Sequence, residues 1–121
     1  MQNLLNQEER MTQAAQIRLV LTDLDETLVW DGHPVGTRSV QAIQALKDAG
    51  VTVAVCTGRA PQSALPIIEQ LGVHYYVCNN GATVYAGDKL LVQRALPAEV
   101  SQGLISFFDQ KGLTALIATP A

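Results

Sequence analysis

Short apolar runs alternate with amphipathic segments along much of this sequence. Residues 18–22, 51–56 and 75–78 form apolar runs without polar alternation, which is typical of strands buried on both faces. Between them, residues 37–49 and 61–71 carry apolar side chains at helical spacing, and a glycine follows each segment. This strand–helix–strand–helix–strand order predicts an α/β fold with a parallel sheet and right-handed crossovers.

The pattern changes after the third predicted strand. Residues 83–85 and 90–92 flank a segment with glycine and aspartate, which predicts a β-hairpin with its turn in residues 86–89. Residues 97–111 carry apolar side chains on one helical face and predict a further helix. The apolar run at residues 113–118 predicts one more strand near the end of the sequence.

The overall composition restricts the class of protein. Of the 121 residues, 48% are hydrophobic and 16% are charged, which fits one small globular domain. A net charge of -3 gives no reason to expect nucleic acid or a membrane as a partner. Residues 1–16 lack the apolar run of a secretion signal, and we expect a poorly ordered N-terminal extension there. Cys56 and Cys78 lie within apolar runs and are predicted to be buried and reduced, as in a cytoplasmic protein.

Polar clusters follow each of the three apolar runs. They are Asp23–Thr27 after the first, Thr57–Arg59 after the second and Asn79–Gly81 after the third. Ligands of open parallel sheets bind at the carboxyl ends of the strands, so these clusters predict a functional site. Each cluster taken separately also fits an ordinary turn, because Asp, Asn, Thr and Gly are common turn residues.

The first cluster contains two carboxylates that are two residues apart. In extended chain Asp23 and Asp25 share a face, and two such carboxylates repel unless a cation lies between them. Mg²⁺ suits this pair, because it binds one or two carboxylates together with water and phosphate oxygens. An aspartate can also attack phosphorus, and its neighbour can transfer the protons. The alternative from spacing is an acidic turn that caps a following helix.

Asp23–Leu28 resembles the first motif (DxDxT) of the haloacid dehalogenase (HAD) superfamily of phosphatases. Residues 55–59 are similar to its second motif, and residues 80–82 match an Asn-Gly-Ala segment of the Cof-type branch. The resemblance implies the N-terminal part of a three-layer, Rossmann-like α/β core with a parallel sheet. It places a partial core with its hairpin in residues 17–93 and the beginning of an inserted α/β cap domain in residues 94–121.

The resemblance also implies the roles of individual residues. Asp23 would be the nucleophile and a Mg²⁺ ligand, and Asp25 would be the general acid and base with its backbone carbonyl on the metal. The phosphoryl group would be held by the Leu24 backbone amide, Thr57 and Gly58. Two further residues, Arg59 and Asn80, are possible members of the site; Arg59 fits a structural salt bridge at least as well, and Asn80 fits an ordering role in its loop.

The activity implied is Mg²⁺-dependent hydrolysis of small phosphate monoesters, with sugar phosphates as the expected class. Glu26 replaces a glycine of the motif, so positive φ is not expected at that position. The late lysine and the GDxxND motif of the family are not found, which leaves a truncated, inactive fragment as an alternative. A receiver-type signalling domain is a remote alternative, because receivers place their phospho-accepting aspartate where this chain has Asn79 and Asn80.

Strand order in the superfamily has a consequence for assembly. The resemblance implies that the first strand is central in complete members, with later strands on its far side. In this chain residues 19–22 would then form a sheet edge, and such an edge favours self-association.

Overall fold

Five strands and three helices occur in residues 17–118, the part of the chain that the computed structural model describes. The strands are β1 (Leu19–Thr22), β2 (Thr52–Cys56), β3 (Tyr75–Cys78), β4 (Thr83–Ala86) and β5 (Lys89–Gln93). The helices are α1 (Thr37–Asp48), α2 (Pro61–Leu71) and α3 (Ala98–Gln110). The ends of these elements differ from the sequence prediction by at most one residue. The expectation for residues 1–16 lies outside the described residues.

The strands form one sheet in the order β1-β2-β3-β4-β5. The first three strands are parallel, and β4 and β5 are antiparallel additions. This arrangement confirms the predicted α/β fold with a partial parallel core. The hairpin between β4 and β5 turns at Gly87 and Asp88, and the φ of 55° at Gly87 explains the glycine there.

An aromatic pair joins the hairpin to the parallel part of the sheet. Tyr76 of β3 and Tyr85 of β4 are cross-strand partners whose rings stack with centroids 4.9 Å apart. The Tyr76 hydroxyl donates a hydrogen bond of 2.8 Å to the carbonyl of Gly87 in the turn. These contacts fix the register of β4 against β3, because cross-strand aromatic pairs stabilise one alignment of the strands.

Helices α1 and α2 pack side by side against one face of the sheet. Their buried residues meet the inward side chains of β2 and β3 in one hydrophobic core. Gly72 ends α2 with a left-handed φ of 60°, and its carbonyl accepts a 2.6 Å hydrogen bond from the Lys47 ammonium at the end of α1. The core members are Leu24, Val29, Val35, Ile43, Val53, Val55, Ala64, Ile68, Leu71, Val73, Tyr76, Cys78 and Tyr85.

The opposite face of the sheet is not covered by any described helix. Leu19 and Leu21 on this face are 52% and 59% exposed, and Tyr75 is 44% exposed. Cys56 lies on the same face and is exposed, so the prediction that it is buried was wrong. The apolar residues next to Cys56 in the sequence do not indicate which face of β2 is exposed to solvent. The prediction for Cys78 is confirmed, because that side chain is fully buried.

The last described segment differs from the sequence prediction. Residues 113–118 were predicted as a strand, but they have no strand structure, and Leu116 is 98% exposed. A strand requires backbone pairing with a neighbour, and the described residues form no strand pairing with this segment. Helix α3 likewise contains no buried residue. Among the described helices, none combines the length and the apolar character that a bilayer crossing requires.

Candidate active site

The loop after β1 is built around Leu24, which is 0% exposed. The Leu24 carbonyl accepts hydrogen bonds from three backbone N–H groups, those of Thr27, Leu28 and Val29, at 2.8–3.2 Å. The buried side chain and this carbonyl hold the chain in a tight turn directly after the strand. The turn leaves the flanking Asp23 and Asp25 exposed at the carboxyl end of β1.

Glu26 adopts a left-handed conformation with φ of 57° in this turn. The expectation that this position does not need positive φ was therefore wrong. The Glu26 N–H donates to the carbonyl of Val29 at 2.9 Å, and this closure of the turn imposes the conformation. A left-handed residue other than glycine costs about 1–2 kcal/mol, so the loop contains local strain.

The Asp23 carboxylate lies at the end of β1 and is exposed to solvent. Its Oδ1 atom accepts a 2.7 Å hydrogen bond from the backbone N–H of Leu24. The Leu24 amide, predicted to bind a phosphoryl group, therefore contacts the carboxylate in this structure. The Asp23 carbonyl accepts a 3.0 Å hydrogen bond from the Thr22 hydroxyl.

Asp25 forms a two-point ion pair with Arg59 from the loop after β2. The Arg59 Nε and Nη2 atoms donate to the two carboxylate oxygens at 2.9 and 2.5 Å. Hydrogen bonding to Arg59 holds the pKa of Asp25 below its ordinary value of 3.8, and burial opposes the shift only in part. Arg59 therefore connects the first cluster to the second.

The second cluster continues directly from β2. The Thr57 N–H pairs with the Val77 carbonyl of β3 at 2.9 Å, and the Thr57 side chain is 4% exposed. The Thr57 hydroxyl oxygen accepts a 3.1 Å hydrogen bond from the backbone N–H of Arg59. The hydroxyl proton remains available to an acceptor, since one oxygen both donates and accepts. Gly58, by contrast, is exposed.

The third cluster connects to the second through backbone hydrogen bonds. The Asn79 N–H donates to the Arg59 carbonyl at 2.9 Å, and the Asn80 N–H donates to the Thr57 carbonyl at 3.3 Å. Both asparagines are left-handed, with φ of 51° and 55°, a conformation that Asn tolerates better than most residues. A Cβ atom on Gly58 would lie 2.8 Å from the Asn80 Oδ1 atom, so glycine permits this close approach.

Comparison with known proteins identifies the family. A family model described as haloacid dehalogenase-like hydrolase matches residues 20–120. This chain belongs to that family. The predicted recognition and fold class are confirmed.

Individual relatives of this chain carry phosphatase names. The chain is 32% identical over 90 residues to an HMP-PP phosphatase of Serratia proteamaculans, covering 73% of this chain and 33% of that protein. It is 24% identical over 97 residues to the 5-amino-6-(5-phospho-D-ribitylamino)uracil phosphatase YwtE of Bacillus subtilis, covering 80% and 34%. The chain thus spans about a third of the length of these curated relatives.

A solved structure agrees with this assignment. A haloacid dehalogenase-like hydrolase from B. subtilis superimposes with a TM-score of 0.72 at 26% sequence identity. The superposition covers 79% of this chain and 34% of that chain. The chain therefore shares its fold with the corresponding part of a larger hydrolase.

The side chains near the end of β1 offer few ligands for a metal ion. Within residues 17–118, no three His, Cys, Asp or Glu side chains cluster as a metal site. The Asp23 carboxylate accepts one backbone hydrogen bond and is otherwise exposed, whereas both Asp25 carboxylate oxygens contact Arg59. The exposed Asp23 carboxylate suits an ion that takes one or two carboxylates and fills its shell with water and phosphate.

A cleft of about 480 Å³ extends from the third cluster toward α3. Its polar wall includes Asn79, Thr83 and Arg94. The Asn79 Oδ1 and Thr83 Oγ1 atoms are buried and have no hydrogen-bond partner among the described residues. Its apolar wall includes Leu96, Leu104, Ile105 and Phe108. A cleft of this volume with few polar groups is typical of small-molecule sites.

Sequence reasoning found the three clusters but missed parts of their geometry. The spacing of Asp23 and Asp25 suggested convergence on one cation, whereas Asp25 turns to Arg59 in the structure. The salt-bridge alternative weighed for Arg59 is the contact observed. The cleft beside α3 had no sequence signal, because its lining residues come from four separate stretches of the chain.

Proposed function

We propose that this chain supplies the phosphoryl-transfer residues of a phosphatase that hydrolyses small phosphate monoesters, sugar phosphates above all. The observation that carries the proposal is the DxDxT turn held beside Thr57 and Gly58 at the carboxyl edge of the sheet. The phosphatase names of two relatives support the reaction class. The domain organisation proposed with it is a core in residues 17–93 and the beginning of a cap in residues 94–121.

Asp23 is the nucleophile in this proposal. A carboxylate oxygen of Asp23 forms a bond to phosphorus while the ester P–O bond breaks, and the leaving oxygen takes a proton from Asp25. A water molecule then attacks phosphorus, gives a proton to Asp25 and releases inorganic phosphate from Asp23. The exposed position of Asp23 at the end of β1 supports this role, because the attacking carboxylate must reach substrate.

Arg59 controls the protonation of Asp25 in this scheme. Because the ion pair lowers the pKa of Asp25, its carboxylate is ionised while Arg59 is bound; after Arg59 moves away, Asp25 takes a proton from solvent water and then protonates the leaving oxygen. Arg59 is 27% exposed and is held at the N-terminal end of α2 by a weak 3.4 Å contact with the Ser63 carbonyl. An incoming phosphate group competes with Asp25 for the guanidinium and thereby releases the carboxyl for proton transfer.

Thr57, Gly58 and the Leu24 amide bind the phosphoryl oxygens in this proposal. The Thr57 hydroxyl proton is free to donate, and the exposed backbone at Gly58 permits close approach of an anion. The Leu24 N–H donates to a phosphoryl oxygen when Asp23 moves from its resting contact to attack. Asn80 keeps the Thr57–Gly58 segment in place through its backbone hydrogen bond.

Asp23 and the Asp25 carbonyl would hold a Mg²⁺ ion, which would supply positive charge that neutralises the phosphate. The organic part of the ester enters the cleft below α3, where apolar walls and the unpaired Asn79 and Thr83 oxygens receive a hydroxylated metabolite. The two free cysteines support a reducing, cytoplasmic location.

A chimera tests this function directly, because the relatives are about three times as long as the matched region. The 90-residue matched segment of the Serratia phosphatase is replaced by the corresponding segment of this chain. We expect the chimera to hydrolyse p-nitrophenyl phosphate with Mg²⁺. Asp23→Asn removes the nucleophile and is expected to abolish turnover, whereas Asp25→Asn costs about 10²–10⁴-fold in kcat.

Asp31→Asn is the matched control for both variants. Asp31 is an exposed, left-handed residue of the loop before α1, a conformation that asparagine accepts, so this change is expected to leave turnover intact. Circular dichroism spectra of the variant chimeras are compared with that of the parent chimera to check that each variant is folded. A folded Asp23→Asn chimera that retains the parent rate would refute the assignment of the nucleophile.

A further inference from the structure

Asn80 and Gly81 form an asparagine–glycine pair in the loop between β3 and β4. Glycine has no side chain to shield its backbone nitrogen, so this nitrogen can attack the carboxamide carbon of a preceding asparagine. Both residues are exposed to solvent, and water completes the reaction. The same loop adjoins the proposed phosphate site, because the Asn80 N–H donates a 3.3 Å hydrogen bond to the Thr57 carbonyl.

Spontaneous deamidation of such a pair proceeds through a cyclic imide, and asparagine is among the thermolabile residues for this reason. The Gly81 nitrogen forms a bond to the Asn80 Cγ atom, the bond from Cγ to the side-chain nitrogen breaks, and ammonia leaves with the Gly81 amide proton. Water then opens the imide at either of its carbonyls. The product is aspartate, or isoaspartate, in which the main chain runs through the former side chain.

The backbone conformation of Asn80 blocks the first step in the folded protein. Its φ and ψ are 55° and 37°, in the left-handed region. At this ψ the Gly81 nitrogen lies nearly opposite the Asn80 Cβ atom across the Cα–C bond, whereas closure of the imide requires the two atoms on the same side. The ring can therefore close only after the backbone at Asn80 rotates out of the left-handed region.

Backbone hydrogen bonds hold the loop in this conformation. The Asn79 N–H donates to the Arg59 carbonyl at 2.9 Å, and the Ala82 N–H donates to the Asn79 carbonyl at 3.1 Å. Because these bonds connect the loop to the segment after β2, Asn80 can rotate only when the loop opens. The rate of deamidation is then proportional to the fraction of molecules in which the loop is open.

We propose that Asn80 is a deamidation site that the fold protects while the loop is closed, and that its modification disables the phosphate site. The second part rests on the proposed function. The Asn80 Oδ1 atom lies 2.8 Å from the position that a Cβ atom on Gly58 would occupy. An aspartate here is ionised at neutral pH, and its charge repels a phosphoryl group bound at Thr57 and Gly58. Isoaspartate adds a methylene group to the main chain and displaces the loop.

Peptide mapping by mass spectrometry tests the protection in residues 1–121 at slightly alkaline pH. We expect the Asn80 peptide to deamidate at least about tenfold faster in urea that unfolds the chain than in buffer, since the open fraction sets the rate. At intermediate urea the rate is expected to follow the unfolded fraction measured by circular dichroism. Asn79, which precedes a bulkier residue, is the internal reference and is expected to change far more slowly in urea.

Asn80→Gln is the matched variant, because glutamine closes the corresponding ring far more slowly, and it is expected to abolish the mass gain at this position. Equal rates in buffer and urea, in a chain that circular dichroism shows to be folded, would overturn the protection. If residues 1–121 show no cooperative transition, the same comparison is made with the chimera, in which the loop belongs to a full-length protein. Equal rates in the folded and unfolded chimera would then overturn it.

Turnover of p-nitrophenyl phosphate by the chimera tests the effect of the modification. Asn80→Asp is expected to raise KM on the order of tenfold, less so at high salt, and to raise it more than the uncharged Asn80→Ala does. Gln41→Glu adds the same charge on the exposed side of α1 and is expected to leave KM unchanged. Equal KM values for Asn80→Asp and Asn80→Ala would overturn the claim that the charge disables the site. A parent chimera without turnover would instead refute the proposed function, while the protection of Asn80 is decided by the mass measurement alone.

Discussion

Replacement of Leu24 by alanine is expected to destabilise the fold strongly, although this residue lies between two exposed carboxylates. Leu24 is 0% exposed and belongs to the hydrophobic core. Leu→Ala changes at such positions cost about 2–5 kcal/mol, because the cavity adds to the lost burial. We expect the upper half of this range, because three backbone N–H groups hold the Leu24 carbonyl and prevent the loop from collapsing into the cavity.

Urea denaturation followed by far-UV circular dichroism measures this cost. With a typical slope of about 1–3 kcal/mol per molar urea, the midpoint is expected to fall by about 1–5 M. Leu24→Met conserves volume and is expected to cost less than about 1.5 kcal/mol. Leu116→Ala is the exposed control, since Leu116 is 98% exposed, and is expected to change stability by less than about 0.5 kcal/mol. A Leu24→Ala midpoint equal to that of Leu116→Ala would refute the claim that the motif is anchored in the core.

Two further predictions concern the contacts between the loops. Arg59→Gln is expected to raise the pKa of Asp25 toward 3.8 in carboxyl NMR titrations, while Arg38→Gln leaves it unchanged. The folded state lowers the pKa of Asp25, so the Asp25–Arg59 pair stabilises the fold above pH 3.8. Because the pair is half-exposed, this contribution to the free energy of unfolding is below about 1 kcal/mol. It is lost as the pH falls through the lowered pKa, and a stability difference that persists below it would contradict the assignment. Gly58→Ala is expected to displace the Asn80 side chain and reduce turnover of the chimera. Adding Asn80→Ala to this variant is expected to restore part of the turnover. A double variant as slow as Gly58→Ala would contradict the close approach of Gly58 and Asn80.

The sequence predicted the positions of the strands and helices well, because their signals are local. Continuous apolar runs mark the three parallel strands, and Gly72 ends α2 as its left-handed conformation requires. The failures occurred where the outcome depends on distant neighbours. Residues 113–118 have the composition of a strand but lack a pairing partner, and Cys56 is exposed because no described helix covers its face.

The sequence predicted that three polar clusters lie at one edge of the sheet, but it did not predict the contacts within them. Strand topology places polar residues after β1, β2 and β3 at one edge, and this follows from the parallel order. The spacing of Asp23 and Asp25 does not predict which way either side chain points. A salt bridge of Arg59 was therefore only one alternative, and contact of Arg59 with phosphate was the other. Positive φ at Glu26 arises because the Glu26 N–H closes the turn by a hydrogen bond to the Val29 carbonyl. The conformational preference of glutamate does not predict this hydrogen bond.

The covalent intermediate gives the most direct test of the central claim that Asp23 accepts the phosphoryl group. The chimera is quenched in acid during turnover of p-nitrophenyl phosphate, and its peptides are mapped by mass spectrometry. The account predicts a phosphorylated peptide with the modification on Asp23, present in Asp31→Asn and absent in Asp23→Asn. Modification of a different residue, or continued hydrolysis by Asp23→Asn, would contradict it.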